Sequence, residues 1–226
     1  MRHKIIKVFP FLDQRISFIK RLPFNGGLLD IGCGTGYVLR RFQQVRPDIK
    51  IVGIDKENSC LMLGNISFYQ LDIEKSPLPF SDNYFDGISI IHVIEHLKSA
   101  EVVLKESFRV LKGGGYFYIE TPHIKSLSLP SLNFFSKEGQ PLNFYDDPTH
   151  VRCYSKESLR KMLEILATDV KFGSYRNYLY ALISPLLIIF GFILLKRRWV
   201  VVGILHLFGW SMFCTGRKDI GSSEKH

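Results

Sequence analysis

Beyond residue 26, short apolar runs alternate with segments whose apolar positions recur at helical spacing, the pattern of a sheet covered by helices on both faces. Gly27–Ile31 reads as a first strand and Tyr37–Val45 as the helix that follows it. Residues 50–54 form a second β-branched run ending in Asp55. Residues 67–70 form a short third, before a loop with Pro77 and Pro79. Phe85–Ile91 is continuous in apolar character, so both its faces should be covered. Ser99 stands where an N-cap belongs, ahead of Val102, Val103, Leu104, Phe108, Val110 and Leu111 at helical spacing. Gly113-Gly114-Gly115 should stop that helix before a fifth strand over 116–120. Residues 121–154 lack periodicity and hold Pro122, Pro130, Pro141 and Pro148, which suits a substrate lid better than a spacer. Ser155 then caps a helix to about Ala167, and 169–175 reads as a sixth strand.

Two segments stand outside this alternation. Residues 13–22 place Ile16, Phe18 and Ile19 among Arg15, Lys20 and Arg21, an amphipathic helix rather than a secretory signal, since Pro10, Asp13 and Arg15 interrupt the apolar run a signal needs. Near the other end, residues 178–195 carry no charge, Lys196-Arg197-Arg198 follows, and 199–216 is again uncharged.

With 46% apolar residues among 226, the chain has enough apolar surface for one well-buried core. Its net charge of +9 is confined to the ends. Residues 1–25 carry six Lys/Arg against Asp13, and 170–226 carry eight against Asp219 and Glu224. Between them stand 16 basic and 18 acidic residues. A nucleic-acid enzyme would spread basic residues around its active face, so no nucleic-acid partner is expected. Basic ends beside apolar segments suit an anionic membrane surface. Cys33, Cys60, Cys153 and Cys214 form no CxxC pair, and the chain reads as cytoplasmic and reduced.

The candidate chemistry starts at Asp30-Ile31-Gly32-Cys33-Gly34-Thr35-Gly36, where a strand turns into a helix. Glycines there let the backbone approach a ligand, with free helix N–H groups facing it. The spacing is GxGxG, with Tyr37 next, one place short of the nicotinamide fingerprint GxGxxG, which disfavours an oxidoreductase. Further marks follow in order. They are Val52-Gly53-Ile54-Asp55, Gln70-Leu71-Asp72-Ile73, Leu78-Pro79-Phe80, Phe85-Asp86, His92-Val93-Ile94-Glu95-His96-Leu97, Val110-Leu111-Lys112-Gly113-Gly114-Gly115 and Asp147-Pro148-Thr149-His150-Val151-Arg152. In this order they resemble the class I S-adenosylmethionine-dependent methyltransferases, in the branch that includes ubiquinone-biosynthesis enzymes, over about residues 25–175.

The resemblance implies a doubly wound, mostly parallel seven-stranded α/β sheet binding S-adenosylmethionine. Asp55 would accept the ribose hydroxyls, Asp72 the adenine amino group with Ile73 against the ring, and Lys56 would sit beside them. Gly32, Cys33, Gly34 and Gly36 would admit the methionine moiety, Asp30 would face its ammonium, and His92 would face the cofactor. Cys33 reads as a small residue of the loop rather than a nucleophile. His92-x-x-Glu95-His96 also matches a zinc-peptidase pattern, but that pattern belongs inside a helix and here follows a buried strand. If an acceptor hydroxyl must lose a proton, His96 and His150 are the candidate bases, beside Glu95. The same three residues are a weaker candidate for a divalent cation, as in related enzymes with a Glu/Glu/His cluster at this corner, though His92 replaces the first Glu.

The family sheet ends on an antiparallel strand, which 210–218 resembles, making 177–209 an apolar helical excursion that must return to the side it left. Eighteen helical residues reach about 27 Å, and the ten-residue returning arm about 15 Å, short of a hydrocarbon core of roughly 30 Å. A hairpin lying in a membrane face is therefore favoured over a crossing. The alternative is a roof over an apolar pocket. The expected organisation is a basic amphipathic segment 1–25, a cofactor-binding core 26–176, the hairpin 177–209 and a last strand with a polar tail, 210–226. The expected activity is methyl transfer, at oxygen, to a hydrophobic or lipid-linked acceptor. A soluble small-molecule methyltransferase and a non-catalytic cofactor-binding membrane adaptor are the alternatives.

Overall fold

A computed structural model describes residues 13–58, 66–129, 131, 142–176 and 178–220. The described residues form one seven-stranded sheet in the order β3-β2-β1-β4-β5-β7-β6. Its strands are β1 (Gly27–Ile31), β2 (Lys50–Asp55), β3 (Ile66–Gln70), β4 (Phe85–Ile91), β5 (Leu111–Pro122), β6 (Ala167–Tyr175) and β7 (Ser211–Lys218). The first five pair in parallel, and β7 slots antiparallel between β5 and β6. The helices are α1 (Gln14–Ile19), α2 (Tyr37–Val45), α3 (Ala100–Val110), α4 (Lys156–Leu163), α5 (Tyr178–Ile193) and α6 (Arg197–Phe208).

Strand alternation assigns the two faces. Leu28, Ile51, Ile66 and Tyr118 pack with Ile16, Phe18 and Ile19 of α1 and Leu39 and Phe42 of α2. Leu29, Ile54, Ile88, Phe117 and Ile119 pack with Val103, Leu104 and Phe108 of α3 and Leu159 and Leu163 of α4. The strand order reverses between β1 and β4, which opens a crevice at the carboxyl ends of the strands.

Several boundaries differ from those the sequence suggests. The helix at Asp13 ends at Ile19, and its cap is the Asp13 carboxylate, which accepts from the Arg15 N–H at 3.1 Å. Residues 1–12, the rest of that basic segment, lie outside the described residues. Ser99 precedes α3 but makes no side-chain cap bond. The glycines do not stop α3. The helix ends at Val110, and Leu111 already pairs with Phe85 in β5. Gly113–Gly115 are instead a bulge inside the strand, with Gly114 at φ +73° and the register shifted between Phe85 and Gly87. The helix after Ser155 stops at Leu163, because β6 begins at Ala167 to pair with Lys218. Of the irregular stretch 121–154, residues 130 and 132–141 lie outside the described residues.

The excursion between β6 and β7 is a helical hairpin. Gly191 abuts Val200, and Gly203 abuts Ile188 and the Ser184 carbonyl, leaving no room for a Cβ at either glycine. Among the described residues no helix is long and apolar enough to cross a membrane, so a crossing is set aside.

Candidate active site

The turn after β1 is pinned by the end of β2. The N–H groups of Gly32 and Cys33 donate to the Ile54 carbonyl at 2.7 and 3.0 Å, and that of Gly34 donates to Asp55 Oδ2 at 2.8 Å. Gly32 and Gly34 take left-handed φ values of +70° and +51°. A Cβ on Gly32 would come within 2.2 Å of Val93, so only glycine fits. Among the described residues a Cβ on Gly34 would meet nothing within 4 Å, and the backbone there is open to a ligand.

Two cavities adjoin at this turn. The first, about 470 Å³, is lined by Asp55, Lys56, Asp72 and Ile73 from the ends of β2 and β3. The second, about 540 Å³, is lined by Asp30, Cys33, Glu95, His150, Tyr175 and Trp210 among others, and by Leu205 and His206 of α6. Gly32, Gly34, His92 and His96 belong to both walls. Of the residues singled out from the sequence, only Gly36 reaches neither cavity. Its left-handed backbone, φ +72°, turns the chain into α2 instead.

Beneath the second cavity lies a buried charge network that the sequence reading missed. Arg15 Nε and Nη2 donate to Glu120 at 2.8 and 2.7 Å, a paired contact between α1 and the end of β5. The Tyr118 hydroxyl donates to the same carboxylate at 2.9 Å, and His92 Nε2 lies 3.3 Å from it. His92 Nδ1 reaches Glu95 at 3.0 Å. Arg15 also lies over the Tyr175 ring at 4.2 Å, and Arg41 binds Asp13 at 2.8 Å. Burial alone would raise the Glu120 carboxyl, but Arg15 and His92 outweigh it and hold it far below the usual carboxylate range. Burial likewise opposes a charged His92, yet its hydrogen bonds to Glu120 and Glu95 raise it to about 9. His92 holds a left-handed backbone, φ +55°, with its ring 5.4 Å from that of Trp210. Such strain in a non-glycine residue persists where its surroundings over-determine it.

A pH dependence follows. The ordinary histidine value is 6.5 and the folded value about 9. The His92 contribution to stability is thus complete below 6.5 and lost as pH rises through about 9. The thermal midpoint of the chain should fall across that window, and His92→Gln should flatten this part of the fall. An equal decline in the variant would assign the pH effect to other groups.

Asp30 behaves differently. It is buried with the Ser89 hydroxyl donating to it, and burial pushes its carboxyl up to about 7, against the pull of Ser89 and Arg15.

On the far side, Glu95, His96 and His150 bring three potential ligand atoms within 4.8 Å of one another. Thr149 Oγ1 donates to Asp147 at 2.6 Å, so it cannot also donate to His96 Nδ1, 2.9 Å away. Nδ1 of His96 therefore carries hydrogen, and it faces the Thr149 oxygens. Nδ1 of His150 faces the Phe144 carbonyl, which can only accept. Both imidazoles thus keep the Nε2 lone pair free of these contacts. Glu95 Oε2 is buried and, among the described residues, has no hydrogen-bond partner.

Comparison with known proteins agrees with this architecture. A family model described as a methyltransferase domain matches residues 2–165. The ubiquinone/menaquinone biosynthesis C-methyltransferase UbiE of Vibrio cholerae is 31% identical over 161 residues, 66% of this chain and 54% of that protein. The chain thus spans about half the length of the curated relatives it matches. A methyltransferase solved in complex with the Haloferax volcanii activator Trm112 superposes with a TM-score of 0.64 at 16% identity, over 96% of this chain and 94% of that one. A SAM-dependent methyltransferase from Archaeoglobus fulgidus gives 0.60 at 22% identity, with the same coverage. The sheet order, the glycine turn open to a ligand and the family match converge: the chain belongs to the methyltransferase-domain family, the class I enzymes whose cofactor is S-adenosylmethionine.

Proposed function

We propose that the chain is a methyltransferase that takes the methyl group of S-adenosylmethionine to an oxygen of a hydrophobic or lipid-linked acceptor. The observation that carries the reading is the pair of cavities meeting at Gly32, Gly34, His92 and His96. The residues fit the cofactor, because the open space at Gly34 is a cradle that any Cβ would fill. When bound, S-adenosylmethionine supplies an electrophilic methyl on a sulfonium sulfur.

In this reading the first cavity holds the adenosine half. Asp55 takes the ribose hydroxyls, with Asp72, Ile73 and Lys56 around the base. Gly32, Cys33 and Gly34 admit the methionine moiety. Asp30, held near neutrality by burial, ionises against its ammonium. The second cavity takes the acceptor, whose polar end meets the charged floor while Leu205 and Trp210 suit its apolar part. Alignment and exclusion of water supply much of the acceleration for such a displacement. His96 or His150 removes the hydroxyl proton through its Nε2. Contact of residues 177–209 with a membrane surface belongs to the same reading.

Two observations favour second readings. The curated relatives are named C-methyltransferases, which supports transfer to carbon. The unpartnered Glu95 Oε2 beside His96 and His150 supports a divalent cation orienting the acceptor. Incubation with methyl-labelled S-adenosylmethionine and matched panels of prenylated and soluble phenols separates these. Label in organic-extractable O-methyl products is expected, and exhaustive EDTA should leave turnover intact. A C-methyl product would overturn the oxygen assignment. Loss with EDTA and recovery with magnesium would give the three residues to a metal. Cofactor binding with no transfer to any acceptor would make the chain a non-catalytic binder.

A further inference from the structure

The acceptor cavity shares α6 with the helical hairpin, and the hairpin exposes far more apolar surface than a water-facing helix pair needs. Leu182, Leu186, Ile189, Phe190 and Ile193 lie along α5 at spacings of four, seven, eight and eleven, a single helical face, and all are exposed. The opposite side of α5 is occupied by Ser184, Ile188 and Gly191, which pack on α6. Leu195, 89% exposed, extends the apolar surface to the hairpin tip, where Lys196 and Arg198 are also exposed.

We propose that this outward face of α5, with its basic tip, docks flat on an anionic lipid bilayer. The inference rests on the hydrophobic-acceptor reading for its purpose, while binding itself is a separate property. Charge selects the occupant. From Val170 to Lys218 the chain has seven Lys/Arg and no Asp or Glu, so a second copy would meet the face with like charge and an anionic surface with opposite charge. Length selects the orientation. The 16 residues of α5 and 12 of α6 reach about 24 and 18 Å, less than the roughly 30 Å of a hydrocarbon core. Tip-first insertion would also carry Lys196 and Arg198 into hydrocarbon. Lying in the interface, the apolar face enters the acyl boundary and the cations stay at headgroup level. Tyr180 of α5 stacks at 5.1 Å on His206, which lines the acceptor cavity. The docked face and the cavity are therefore one packed unit, and an acceptor could present its polar end to the cavity while its tail remains in lipid.

Vesicle flotation of the full chain tests this with phosphatidylcholine alone and with phosphatidylcholine mixed with phosphatidylglycerol. The chain should float with the anionic vesicles and partly resist release by high salt. Lys196→Glu with Arg198→Glu should cut partitioning more than tenfold at low salt, since each basic residue near such a surface is worth about fivefold. Leu186→Glu with Ile193→Glu should abolish it. Calorimetric binding of S-adenosylhomocysteine should stay unchanged in both variants, which separates docking from the cofactor reading. Failure of the full chain to float, or undiminished flotation of the Leu186/Ile193 variant, would overturn the proposal. A dimer in solution that the Leu186/Ile193 variant turns into a monomer, without flotation, would assign the face to a second copy instead.

Discussion

Replacing Asp55 with alanine should weaken S-adenosylhomocysteine binding by about two to four orders of magnitude. In the proposed pose its carboxylate accepts both ribose hydroxyls, and hydrogen bonds to a charged group are each worth about 1.5–3 kcal/mol, where roughly 1.4 kcal/mol is tenfold. The substitution also frees the Gly34 N–H, which Asp55 now holds at 2.8 Å, and so loosens the turn beside the methionine moiety. Asp55 is only partly buried and belongs to no apolar cluster, so the thermal midpoint should change little. Calorimetry measures the affinity directly. An unchanged value would remove Asp55 from the pocket and reassign it to bracing the glycine turn.

The largest stability loss is expected at Glu120. Glu120→Ala would leave the Arg15 guanidinium without its paired carboxylate, His92 with Glu95 as its remaining partner, and the Tyr118 hydroxyl without its acceptor. Removing one partner of a buried ion pair costs about 3–5 kcal/mol. For a chain of this size that corresponds to a fall in thermal midpoint of about 10 °C. Removing both charges together, with Arg15→Met and Glu120→Leu, should recover much of the loss, because no uncompensated cation then remains. Thermal melts of the two single variants and the double variant close the cycle. Additive losses would show that the pair contributes through packing alone.

The sheet and the glycine corner were legible because their signals are local. A strand period of two, a Gly-x-Gly turn and acidic residues closing β2 and β3 need no knowledge of distant partners. Asp55, Asp72 and His92 each stand within a few residues of the strand end that places them. The charge network was hidden because its partners are far apart, 105 residues between Arg15 and Glu120. A signal for it did exist: Glu120 is a carboxylate near the end of a strand buried on both faces, and such a group requires a cation. Only the fold could say that the cation comes from α1. The glycine triplet misled for a related reason. Glycines beyond a helix more often stop it than bulge a strand, and the pairing of Leu111 with Phe85 decides between the two. The sequence marks Trp210 and Tyr175 only as strand residues, and their place at the cavity follows from β6 ending and β7 beginning beside it.

The helical hairpin begins and ends at neighbouring points of one ladder, since Tyr175 pairs directly with Ser211. The separation between those residues is already that of a tight β-turn, and Gly209 holds the left-handed φ, +69°, that such turns favour. Geometrically the segment is a cassette. It can be shortened, lengthened or exchanged without altering the register of any strand or the turn after β1. Under the proposed function, one chassis would thereby serve membrane-bound and freely dissolved acceptors through the choice of insert alone.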